Sequence, residues 1–265
     1  MSDRGLSDAA GRRAAPLLRL IDDGARAPAV NMAIDEALLR QPGPAVLRLY
    51  GWRPHAVSLG YFQPLAAFAD LPPGTEVVRR STGGGAIWHG DELTFALTAD
   101  QALLPRALDA TYALLHDALL LALADVGVAA VRVPDGTACG ARPASRWCFE
   151  HPGRHDLVDG SGRKLVGSAQ RRIQVSSLRE AGPARVLHHG SIVLQRPAHT
   201  PFVAAIADHV DAIAAAPALR AAAAARMAAA LGASVANDAL TAAELAAADG
   251  FAAARFSAAS FLAAR

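Results

Sequence analysis

Over its first two hundred residues the chain alternates short apolar runs with polar breaks, and then its character changes. Leu17–Ile21 is an apolar run closed by Asp22-Asp23-Gly24, which predicts a strand. From Pro28 to Arg40 the apolar Met32, Ile34, Ala37 and Leu38 recur at helical spacing, and Pro42-Gly43-Pro44 ends the pattern. Asp35 and Glu36 fall on this helix and read as a solvated face. Ala45–Tyr50 and His55–Leu59 predict two strands joined by Gly51-Trp52-Arg53-Pro54. Val77–Arg80 predicts a third, entering a triple glycine, and Leu93–Thr98 alternates with period two. Leu103 to Val126 is the longest helical pattern, stopped by Gly127. Val131–Val133, a hairpin of Asp156–Asp159 and Leu165–Ile173 around Gly160-Ser161-Gly162, and Arg185–Leu194 predict the remaining strands.

After Pro197 alanine dominates. Pro201 to Arg265 predicts helices only, punctuated by Pro217 and Gly232, with a capping-box pattern from Thr241 to Glu244 starting the last one. The expected organisation is a polar, mobile leader over 1–16, a mixed α/β catalytic domain over 17–200, and a helical C-terminal extension over 201–265 packed on it. No internal repeat is present.

Composition narrows the function. The 265 residues, 52% apolar, suffice for one large domain with a sizeable core. A net charge of +2 is no nucleic-acid footprint. A mildly basic face would still suit an acidic protein partner. No apolar run reaches the ~20 residues of a membrane span, and the leader has no apolar signal core. Two cysteines make neither a disulfide framework nor a zinc site. The expectation is a cytoplasmic protein with reduced thiols and no metal.

The chemistry concentrates between Trp147 and Gln170. This stretch holds Cys148 and Lys164, the one lysine among 26 basic residues. Where arginine serves every other cationic position, a surviving lysine offers a compact ammonium that donates at a point and can lose its proton when desolvated. Cys139 has no motif around it and reads as incidental. A second anchor is RRSTGGGAIWH, Arg79 to His89. No helix pattern follows it, so it is neither a dinucleotide fingerprint nor a phosphate loop. Gly83, Gly84 and Gly85 would let the backbone approach a ligand, with Arg79 and Arg80 as nearby donors; a glycine bulge in a β-meander is the plainer alternative. The third is LHHGSIVLQ, where His189 precedes Gly190-Ser191 and His188 points to the opposite face of its strand.

In this order and spacing, RRSTGGGAIWH, K-LVGSAQ and HHGSI resemble the biotin/lipoate protein ligase superfamily, and NMAIDEALL is similar to its opening helix. The resemblance covers about residues 17–200. It implies a class II synthetase-like α/β fold, with a mixed, mainly antiparallel sheet flanked by helices. It also implies a tunnel for lipoate or octanoate beside the glycine-rich strand, and delivery of the acyl group to a lysine of a small carrier domain. Within the superfamily, ATP-dependent ligases typically continue the triple glycine as HD-x-G-N. Here the run is His89-Gly90-Asp91-Glu92, without that Gly-Asn pair. CFE followed by proline, then GRKLVGSAQ, is similar instead to the cysteine-type octanoyltransferases. The segment Gly153-Arg154-His155 departs from that branch's usual Ser and Tyr, and the hairpin turn is a residue longer.

By this resemblance Cys148 is the nucleophile and Lys164 its partner, with Arg79, Arg80, Gly83, Gly84, Gly85, His89, Gly167, Ser168, His189 and Gly190 binding substrate. The cation or base that supports the thiolate would be Lys164, His155 or His189. The donor is then octanoyl-acyl carrier protein. The acceptor is glycine cleavage H protein or a lipoyl domain of a 2-oxoacid dehydrogenase E2 subunit. No cofactor is expected; ATP and Mg²⁺ enter only under the rival reading, an ATP-dependent lipoate or octanoate ligase. A non-catalytic acyl- or carrier-binding protein is the other rival, and it would need neither a nucleophile nor an oxyanion donor.

Overall fold

The computed structural model describes residues 14–133, 145–176 and 181–264. β1 (Leu17–Arg26) and β2 (Ala45–Trp52) run parallel, joined by α1 (Pro28–Arg40). Pro28 stands in the first turn of α1, where its missing N–H is no loss. β3 (Ala56–Leu59), β4 (Glu76–Arg79) and β5 (Ile87–His89) form a small sheet in the order β4-β3-β5. The main sheet is completed by β6 (Glu92–Asp100), β7 (Val131–Arg132), β8 (Leu157–Val158), β9 (Lys164–Ser176), β10 (Ala181–Val193) and β11 (Ser234–Asn237). Its order is β11-β1-β2-β6-β10-β9-β8-β7, antiparallel from β2 outward to β7.

Helices cover both faces of the main sheet. On one, α2 (Leu108–Asp125) and α3 (Ala212–Ala230) bury Leu115, Leu119, Leu219 and Met227 against Leu47, Phe95 and Leu97. On the other, α1 and α4 (Ala242–Phe251) pack Met32, Ile34, Leu38 and Ala248 against Val46 and Tyr50. Cover on both sides buries every residue of β2 but Gly51 and every residue of β6 but Asp100, including the polar positions of β6's alternating pattern. The alanines of α3 let it lie close against α2, so the tail builds core from small side chains.

Five expectations need correction. β1 does not stop at Asp22-Asp23-Gly24; it continues to Arg26 through a bulge where Gly24 takes φ +68°. The long helix begins at Leu108 because Pro105 interrupts the pattern; Gln101–Leu103 is a separate 3₁₀ turn. The tail is not all helical. Ser234–Asn237 forms β11, parallel to β1 on the sheet edge, where main-chain pairing overrides a helix-favouring composition. Pro217 does not break its helix, since α3 runs through it. Finally, Asp35 and Glu36 are no solvated face: both are buried. Arg48 and Tyr50 of β2 hold Asp35, and Arg40, Arg171 and Arg255 hold Glu36.

Candidate active site

The loop from Arg80 to Ala86 links the small sheet's outer strands, and its glycines do different jobs. Gly84 takes φ +95°, a conformation other residues resist. Gly85 does not face a ligand; a Cβ there would lie 2.7 Å from the Cys148 backbone nitrogen and 3.0 Å from its Cα. That close approach lets two chain segments join. Ala86 N–H donates to Arg146 O at 2.7 Å and Cys148 N–H donates to Ala86 O at 2.8 Å, a parallel bridge between Ala86 and Trp147. The cysteine is thus pinned to the glycine segment by its main chain.

Lys164 opens β9 and reaches the same point. Its ammonium donates to Asp156 Oδ2 at 2.8 Å, to Cys148 O at 3.3 Å and towards Cys148 Sγ at 3.4 Å, over the Phe149 ring. It is 3% exposed. Burial works against the charge, but the Asp156 carboxylate and Cys148 outweigh it and raise the lysine above its ordinary pKa. Of the two forms the sequence left open, the ammonium and the desolvated amine, these partners favour the ammonium. Gly167 makes room for it, since a Cβ there would fall 2.2 Å from Lys164 Cε.

Beside Cys148 lies a cavity of about 270 Å³ between the two sheets. Met32, Tyr50, Trp52 and Ile87 give it apolar walls; Arg80, His89, Ser168 and His189 supply polar ones, with Gly83, Gly84 and Gly190 among its lining residues. Arg80 is buried and donates to the carbonyls of Ser58, Gly83 and Gly85. Among the described residues no carboxylate pairs with it. Burial pulls its pKa down, opposed by Cys148. His89 Nδ1 meets Glu92 Oε1 at 2.8 Å and its Nε2 meets Ser58 Oγ at 2.7 Å, with the ring stacked on Trp52. His189 meets Thr82 Oγ1 at 2.7 Å and Asp35 Oδ2 at 3.4 Å. Ser168 Oγ meets His116 Nε2 at 2.6 Å, and His116 Nδ1 meets the His155 carbonyl at 2.7 Å. A ring nitrogen facing a carbonyl must carry the proton. Nε2 is then the acceptor, and burial holds this histidine neutral, its pKa lowered to about 4. Burial also raises the cavity-lining Tyr112 to about 12, with Asp156 adding to the effect.

Most of the sequence-predicted site residues therefore converge on one place. Arg79 does not: its guanidinium donates to the carbonyls of Gly60, Gln63, Phe261 and Leu262 and ties the C-terminal segment to the β3–β4 connection. Gly85 and Gly167 act on Cys148 and Lys164, not on a ligand. His155, a candidate thiolate partner, packs instead on Tyr112 and meets Arg132. His188 faces away from His189 and packs against Tyr112 and His116. Cys139 lies outside the described residues. Sequence reasoning missed Asp156, Glu92 and His116. Only Asp156 left a signal: a buried lysine needs a carboxylate, and Asp156 is one of two acids, with Asp159, in the predicted strand that precedes the hairpin turn.

Residues 27–238 match the lipoyl protein ligase A/B catalytic domain. The chain is 41% identical over 187 residues to octanoyltransferase LipM of Moorella thermoacetica, covering 66% of this chain and 64% of that protein. It is 33% identical over 190 residues to octanoyltransferase LipM of Bacillus subtilis, covering 66% and 65%. The match thus spans just under two thirds of these relatives' length. A bipartite lipoate protein ligase from Thermoplasma acidophilum superposes with a TM-score of 0.70 at 20% identity, covering 92% of this chain and 96% of that one. A lipoate-protein ligase A bound with ATP gives 0.70 at 20% identity, covering 92% and 98%. These structures share the mixed sheet and its flanking helices. The chain belongs to the lipoyl protein ligase A/B catalytic domain family.

Proposed function

We propose that the protein is an octanoyl-[acyl-carrier-protein]:protein N-octanoyltransferase acting in protein lipoylation, with Cys148 as the acyl carrier. One observation carries the reading: a thiol and a buried, charged lysine meet at 3.4 Å beside an apolar-walled cavity. The thiolate is the nucleophile in such chemistry. It attacks the carbonyl carbon of a carrier-bound octanoyl thioester, forming a C–S bond and an oxyanion. Collapse breaks the carrier's C–S bond, and the carrier thiolate leaves to take up a proton. The neutral ε-amine of the acceptor lysine then attacks the Cys148 thioester, forms the amide, expels the Cys148 thiolate and sheds its extra proton.

Lys164 serves both steps as a cation. While Sγ is negative, one N–H points at it. Once Sγ is acylated that charge is gone, and the same N–H is free to meet the adjacent carbonyl oxygen as it becomes an oxyanion. Asp156 fixes the ammonium throughout. Thioester exchange is near thermoneutral, so this scheme runs without ATP or another cofactor. The cavity, small beside typical ligand pockets of ~300–1,000 Å³, suits one aliphatic chain. The acceptor in this reading is a lipoyl-domain protein, and residues 17–200 carry the chemistry with the later segment in support.

The test is to incubate the protein with octanoyl-acyl carrier protein, without ATP, and weigh the intact chain. A single octanoyl adduct that hydroxylamine removes is expected. Absence of that adduct, with labelling of an acceptor domain only from free octanoate plus ATP, would replace the transferase with a ligase.

A further inference from the structure

A second depression opens beside the cavity. It measures about 430 Å³ and is lined by Tyr61, Ser81, Thr82, Arg171, Arg172 and Arg255, and it shares Gly83 and Gln170 with the acyl cavity. Its charge is unbalanced. Arg40, Arg171 and Arg255 all rest on the one carboxylate of Glu36, at 2.6, 2.6 and 3.3 Å. Arg172 is held by neutral acceptors, the carbonyls of Pro105 and Arg106 and the Thr111 hydroxyl. Among the described residues no other acid faces the groove. Burial pulls Arg255 below its ordinary pKa; Glu36 opposes this, and the positive charges of Arg171 and Arg40 add to it. An anion in the groove would relieve that repulsion.

The route of the substrate says which anion. If an acyl chain fills the cavity with its thioester at Cys148, the rest of the donor must leave past the residues the two depressions share. Carrier-bound thioesters hang on an arm whose far end is a phosphodiester. Guanidinium forks match phosphate oxygens, and clustered positive charge in a cleft concentrates anions. Resting on the octanoyltransferase reading above, we infer that Arg171, Arg172 and Arg255 form the seat for the phosphate of the donor's prosthetic arm. The last of these arginines comes from the C-terminal segment, so that segment contributes to donor recognition.

The experiment compares two donors, octanoyl-phosphopantetheine and octanoyl-pantetheine, which differ only in the phosphate. The rate of Cys148 acylation is read by intact mass in the wild type, Arg171→Gln and Arg255→Gln. Charge-assisted hydrogen bonds of this kind are worth roughly tenfold to a hundredfold in affinity. The wild type should prefer the phosphorylated donor by about that factor in kcat/KM. Each variant should lose most of the preference, which should also weaken with added salt. Equal use of both donors by the wild type, or a preference that survives both substitutions, overturns the inference and leaves the transferase standing. Failure of both donors to acylate Cys148 overturns both. Direct titration with ATP is the remaining arm: tight ATP binding that Arg171→Gln removes, with no donor preference, would give the groove to a nucleotide and overturn the proposal.

Discussion

Gly167→Ala puts the reasoning about Lys164 at risk with the smallest possible change, one methyl group. The added Cβ would stand 2.2 Å from Lys164 Cε and 2.6 Å from Nζ. Ordinary contact begins at 3.4 Å, so the end of the lysine must retreat by about 1.2 Å. Nothing on the backbone lies in the way, and Gly167 does not need a positive φ. The cost therefore falls on a flexible side chain: about 0.5–1.5 kcal/mol for an off-rotamer lysine. Replacing a strand glycine returns about 0.5–1 kcal/mol. Net stability should change by under about 1 kcal/mol, which for a chain of this size moves the melting midpoint by only a few degrees. Function should suffer far more. The Nζ–Sγ approach is already 3.4 Å, and a retreat of that size takes it out of hydrogen-bonding range while Asp156 can still hold the charge. Loss of one oxyanion donor costs ~10²–10³ in rate. Single-turnover acylation of Cys148, followed by intact mass beside a thermal melt, is the assay. A variant that melts like the wild type and acylates at the wild-type rate would refute the role given to Lys164. Gly190→Ala supplies the contrast. Its Cβ would meet Gly167 O at 2.3 Å and Phe95 Cζ at 2.7 Å, so β9 and β10 themselves must part and the melt should fall sharply.

Three further outcomes are expected. Lys164→Arg should fold normally yet acylate Cys148 at least about a hundredfold more slowly, because a planar fork cannot place a donor where the ammonium sits; wild-type kinetics would exclude the lysine from the site. Cys148→Ala should abolish the octanoyl adduct without moving the melt, and an adduct that persists would put the nucleophile elsewhere. His116, lowered from 6.5 to about 4 by burial, is neutral when folded, whereas the unfolded chain protonates first as pH falls. Its contribution to stability is present above about pH 6.5 and fades towards pH 4, so melts across that window should flatten in His116→Gln; an unchanged slope would show that this histidine does not titrate on unfolding.

The features written in local pattern were legible from the sequence. α1 occupies the predicted Pro28–Arg40, because helical spacing, an N-terminal proline and a Pro-Gly-Pro stop all agree there. Cys148 and Lys164 were legible for a different reason: each is chemically rare in this chain. What stayed hidden depended on distant partners. Asp35 and Glu36 look like surface acids until β2, β9 and the tail bring arginines to them across many residues of chain. Gly85 looks like part of a ligand cradle until the Cys148 segment lies against it. Arg79 and Arg80 are neighbours with identical side chains, and only alternation along the strand sends one to the C-terminal segment and the other to the cavity. β11 left no trace, since its pairing partner, β1, lies more than two hundred residues upstream.

That edge strand has a consequence for handling the protein. β11 covers the outer side of β1 from Leu17 to Leu20, and Arg19 clamps the join through Asp238 and Glu244. Shortening the chain to its first two hundred residues would strip this cover and leave a row of unsatisfied main-chain donors and acceptors along an apolar strand. Such an edge is a template for self-association, so the shortened protein should be lost to aggregates before its chemistry can be measured. The alanine-rich segment, so poor in apparent information, gives the sheet a four-residue edge in place of the ten-residue β1.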